Sequence, residues 1–90
     1  MPTDEYGISL LRELTVCKNT IQRIRKSLQL LEQKHGKSTE VFVNELKEGR
    51  LSDRKEFQSD YDAWRSSYES LKKWEELEKE YLEAYQAMKS

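Results

Sequence analysis

The chain has 90 residues, 16 Lys/Arg, 17 Asp/Glu and a net charge of −1. It is one domain's worth of chain, and it carries no overall field that would draw it to nucleic acid or an anionic membrane. Only 36% of residues are apolar against 37% charged, which excludes a thick globular interior and suits a seam between helices. Three glycines and one proline, amid abundant Glu, Lys, Leu, Gln and Arg, point to long helices.

The chain opens on Met1-Pro2-Thr3-Asp4-Glu5, which lacks the basic-then-apolar order of a signal peptide. Thr3 is a candidate N-cap, with Asp4 and Glu5 in the positive first turn. From Leu10 the apolar positions fall into register. Leu10, Leu14, Cys17, Ile21, Ile24, Leu28, Leu31 and His35 alternate steps of four and three. That is a heptad seam, and Gly36 follows as a left-handed stop. The spacing predicts a first helix over about 6–35. Ser38 then caps a short second helix over about 39–48, with Val41, Phe42, Val43 and Leu46 as its apolar residues and Gly49 as its end. Asp53 with Glu56 resembles a capping box for a third helix over about 54–88. No glycine or proline interrupts that span.

The third helix holds two apolar stripes. Phe57, Tyr61, Trp64, Tyr68 and Leu71 step by four and three; Trp74, Leu77, Tyr81, Tyr85 and Met88 follow about 100° round the helix. The expected architecture is all-α: a long antiparallel, coiled-coil-like hairpin of the first and third helices, bridged by the short second one, as a single domain over 1–90. The first stripe should face helix one. The second either wraps onto the Tyr6–Leu14 end of helix one or awaits another chain. Whether the third helix kinks near 71–75, where the phase changes, is open at this point. Residues 1–38 carry seven Lys/Arg against four Asp/Glu and residues 39–90 nine against thirteen, so the two halves attract weakly when folded back to back.

Little of this resembles chemistry. Cys17 is the only cysteine, so it forms no internal disulfide, and a reducing cytoplasm is the expected compartment. Cys17 and His35 lie 18 residues, about 27 Å, apart on one helix and cannot share a zinc ion. Cys17 is expected as a small buried apolar residue and His35 as a partly exposed ring at a helix C-terminus. Acid–base catalysis needs two carboxylates in different environments within a cleft. Asp60, Asp62, Glu75, Glu76, Glu78 and Glu80 instead read as a solvated face. No enzyme, metal site or cofactor is expected, and no apolar run approaches the roughly 20 residues of a membrane span.

The segment Leu31, Glu32, Lys34, Gly36, Ser38, Glu40, Phe42, then Gly49 and Leu51, then Asp60, Tyr61, Asp62 and Trp64 resembles a class of short prokaryotic helical-hairpin proteins encoded beside toxins. The likeness covers about residues 31–64. His35 stands where that pattern has an aromatic residue and Lys37 where it has an apolar one. The resemblance implies an antitoxin-like binding role and no catalysis.

The leading expectation is therefore a protein-interaction module that binds another protein, or a second copy of itself, through Trp74, Leu77, Tyr81, Tyr85 and Met88. Exposed aromatic clusters of that kind mark interfaces. One alternative is nucleic-acid binding through the basic face of helix one, Arg12, Arg23, Arg25 and Lys26, supported by Lys18. The other is a purely structural homodimer.

Overall fold

In a computed structural model the backbone of residues 2–89 and the side chains of residues 7–89 are described. They form three helices, α1 (Pro2–His35), α2 (Thr39–Glu48) and α3 (Lys55–Lys89), with no strand among the described residues. α1 and α3 lie side by side and antiparallel, and α2 packs at their joined end; the whole measures 59 × 21 × 16 Å. α3 is one continuous helix through residues 71–75.

The helix ends follow local chemistry. α1 starts at Pro2, a residue whose fixed φ and missing N–H suit a first turn. Thr3, expected as the cap, is thus inside the helix. The roles expected for the Asp4, Glu5 and Tyr6 side chains lie outside the described residues. α1 stops at Gly36, whose φ is +65°, and the Lys37 N–H donates back to the Glu32 carbonyl at 3.2 Å, closing a Schellman turn. Ser38 caps α2, its hydroxyl accepting from the Val41 N–H at 3.2 Å. Gly49 ends α2 at φ +69°, with the Arg50 N–H on the Glu45 carbonyl at 2.8 Å. The expected Asp53/Glu56 capping box does not form. Instead the Ser52 hydroxyl accepts from the Arg54 N–H at 3.3 Å, and the Gln58 amide donates to the Ser52 carbonyl at 3.3 Å. Glu56 turns to the Arg54 guanidinium at 2.9 Å.

The α1 seam is buried as its spacing requires: Leu10, Leu14, Cys17, Ile21 and Leu28 are all enclosed. At the head, where α1 turns into α2, three helices meet. Leu28, Phe42, Tyr61 and Trp64 form the core cluster, flanked by Ile24, Leu31, Leu46 and Phe57. Phe42 stacks on Trp64 with centroids 4.2 Å apart and planes 4° from parallel, and both side chains are 0% exposed. A polar relay fixes the arrangement. The Trp64 indole N–H donates to Thr39 Oγ1 at 3.0 Å, and the Thr39 N–H donates to Glu32 Oε2 at 2.7 Å. This ties one residue of each helix into a single chain of contacts, and it satisfies an indole that would be costly to bury unpaired.

The hairpin pairs His35 with Asp60, Arg25 with Glu75 and Gly7 with Met88. This register explains the two offset stripes of α3. Phe57, Tyr61 and Trp64 turn partly toward α2, because the head offers α3 two neighbours. Beyond the head only α1 remains, and the seam rotates to meet it. The half-buried positions Leu71, Trp74, Glu78, Tyr81, Tyr85 and Met88 continue the heptad after one additional three-residue step, a local overwinding of the repeat.

Candidate interaction surface

The tail half of the hairpin, from Gly7 to Ile24 on α1 and from Trp74 to Met88 on α3, lacks a third helix. Trp74, Leu77, Tyr81, Tyr85 and Met88 are all half-buried there. Their inner edges cover Leu10, Leu14, Cys17 and Ile21, for which α2 is out of reach. A Cβ on Gly7 would stand 2.9 Å from the Met88 methyl, so the stripe reaches the far end of α1. Of the two courses its 100° offset left open, the stripe takes the wrap onto α1. It packs on the N-terminal half of α1 and keeps its outer edges open.

Other apolar side chains in this half are more accessible. Ile8 is 52% exposed, Leu11 46%, Val16 49% and Leu82 44%. Ile8, Leu11 and Val16 border a shallow apolar depression with Thr15 and Arg12. Nearer the head, a groove of about 550 Å³ runs between α1 and α3 to the start of α2, with Leu28, Tyr68 and Leu71 as its floor and Arg25, Gln29 and Glu40 on its rim. Sequence periodicity missed the Leu11 and Leu82 positions because each sits just off the seam. Their signal was apolar character one step outside the core heptad.

Of the basic residues, Arg25 is engaged by Glu75 at 3.0 Å. Arg12, Arg23 and Lys26 are exposed. They make no ion pair among the described residues.

His35 is placed differently from its expectation. Its side chain is only 6% exposed, held among Phe57, Tyr61 and Trp64 with centroids at 5.1, 5.7 and 5.5 Å. Its Nε2 donates to Asp60 Oδ2 at 2.9 Å, and Lys34 Nζ reaches the same oxygen at 2.7 Å. His35 occupies the next seam step after Leu31, so the ring is carried into the core and not out to solvent. The hydrogen bonds from Lys34 and then His35 hold the Asp60 carboxyl below the usual carboxylate range. The sign follows from linkage: stability from this clamp is complete above the unfolded carboxyl value, about pH 4, and is lost as pH falls through the lower folded value. In acid titrations followed by circular dichroism, the wild type should lose stability below about pH 4 more steeply than Asp60→Asn. Parallel curves would show that the clamp adds nothing.

Cys17 is fully enclosed at 0% exposure. Burial pushes its thiol up, and the carboxylates of Glu78 and Glu13 push further in the same direction, so the reactive thiolate is disfavoured. Alkylation of Cys17 is expected to run about two orders of magnitude slower in the native chain than in denaturant. Comparable rates would mean that the tail half opens readily.

Among the described residues no cluster of three or more His, Cys, Asp or Glu could hold a metal ion, and no helix is long and apolar enough to cross a membrane. The described surface is thus a two-helix face with apolar anchors and a charged rim. Comparison with family models, curated proteins and solved structures found no match to this chain.

Proposed function

We propose that the chain is a non-catalytic protein-interaction module that works through the open half of its hairpin. The supporting observation is the contrast between the two halves. At the head, α2 serves as a third helix and brings Phe42 and Trp64 to zero exposure. At the tail nothing plays that part, and Trp74, Tyr81 and Tyr85 stay half-covered beside exposed Ile8, Leu11 and Leu82. A helix laid on this face would complete what α2 completes at the other end, and aromatic anchors of this kind carry most of the energy of an interface, about 2 kcal/mol or more each. The resemblance over about residues 31–64 supports an antitoxin-like role for such a subunit.

The test compares wild type with Trp74→Ala/Tyr81→Ala and with the exposed-edge variant Leu82→Arg. Solution mass and bound proteins recovered from the native host are measured after circular dichroism has shown intact helices. Loss of partner or of assembly in both variants is the expected result. Folded variants that keep the wild-type mass and the wild-type set of bound proteins would remove this face as the interface.

A second reading, nucleic-acid binding, draws on the exposed and unengaged Arg12, Arg23 and Lys26. It requires affinity that falls steeply with salt. Absence of binding to mixed DNA or RNA at low salt would eliminate it.

A further inference from the structure

We propose that Glu78 is a built-in weak point that lets the tail half of the hairpin open on its own while the head stays closed. The inference concerns how the tail moves, so it goes beyond the interaction reading and holds whatever the tail binds.

Position is the first argument. Along α3 the steps Trp74, Glu78, Tyr81, Tyr85 and Met88 form the tail seam, and all are half-buried. Facing them on α1 are the enclosed Leu10, Leu14, Cys17 and Ile21. Among the described residues Glu78 is the one charged side chain at a seam position of the tail. Its carboxylate acts on the closed seam: the Cys17 thiol is pushed up by burial first, and next by the charges of Glu78 and Glu13. A polar group at such a position weakens a helix pair. A carboxylate drawn partly out of water without a partner weakens it further.

The missing partner is the second argument. At the head the polar groups drawn into the core are paired: the Trp64 indole with Thr39, Thr39 with Glu32, His35 with Asp60. Glu78 makes no hydrogen bond or ion pair among the described residues. Its neighbours one turn away on α3 are Trp74, Glu75, Tyr81 and Leu82, and none is a cation that could pair along the helix. On α1, Arg25 is taken by Glu75 at 3.0 Å, and Lys18 stays exposed. Parting the two arms returns the Glu78 carboxylate to water, and no third helix holds the arms together there. Opening of this local kind needs only part of the global unfolding free energy. It bares the inner edges of Trp74, Tyr81 and Tyr85, which the closed hairpin covers.

The experiment is native-state hydrogen exchange on the full chain, corrected for intrinsic rates. Segments 14–21 and 74–81 report on the tail, and segments 28–34 and 60–67 on the head. None reaches a chain end, so fraying does not enter. In the wild type the tail segments should exchange about tenfold or more faster than the head segments. Glu78→Gln keeps the shape and removes the charge; it should slow tail exchange about threefold, and Glu78→Leu about tenfold. Equal protection of head and tail in the wild type would overturn the separate opening. Tail exchange that is unchanged or faster in Glu78→Gln would overturn the weak point, the faster case showing that Lys18 holds the carboxylate in solution. Neither result bears on the partner test of the tail face, so the two readings fail independently.

Discussion

Trp64→Ala is expected to destabilise the chain by about 4 kcal/mol. Trp64 is fully enclosed, stacks on Phe42 and donates its indole N–H to Thr39. Its removal leaves a large void at the one place where three helices meet, and it strands the Thr39 hydroxyl. Small domains have only about 5–15 kcal/mol in total, so the loss is a large share. It should appear as a fall of roughly 15–30 °C in Tm by calorimetry. Thr39→Ala separates the two contributions: it removes the acceptor and keeps the ring, and should cost about 1–2 kcal/mol. A Tm drop of only a few degrees in Trp64→Ala would mean that the head is not the stabilising centre.

Ile21→Asp is expected to cost about 3 kcal/mol or more, and to do so unevenly. Ile21 is enclosed in the tail seam, where a carboxylate would be taken out of water among apolar side chains. The two tryptophans report on the two halves, Trp64 in the head and Trp74 in the tail. With Trp64→Phe as background, the emission of Trp74 should shift red in Ile21→Asp under native conditions. With Trp74→Phe as background, Trp64 emission should stay that of an enclosed ring until higher denaturant. Coincident transitions for both reporters would show that the halves melt as one unit and that the tail has no separate stability.

Several features were legible because they are local. Gly36 and Gly49 read as left-handed stops and have positive φ; Ser38 read as a cap and accepts from Val41. The step pattern from Leu10 to Leu31 read as a seam, and the seam is enclosed or partly so throughout. The three helices lie within a few residues of their expected bounds. What was left open or misread depends on tertiary company. The offset of the Trp74–Met88 stripe allowed a wrap onto helix one or a second chain, and the wrap is found because α3 has two neighbours at the head and one at the tail. No periodicity within α3 carries that information. His35 has a legible clue, its place one step beyond Leu31, but a histidine at the end of a long helix reads as polar until Asp60 is brought to it across 25 residues. The Glu32–Thr39–Trp64 relay had no signal in the sequence at all, since each member is an ordinary residue until the turn folds them together.

The ties at the head also bear on how the chain finds its shape. His35 to Asp60 and Trp64 to Thr39 each close a segment of 25 residues, whereas Gly7 and Met88 are separated by almost the whole chain. Closing the shorter loop costs less entropy, and helix-rich chains dominated by nearby pairings fold quickly. The bend around α2 is therefore the expected nucleus, and the two long arms zip together from it toward the termini.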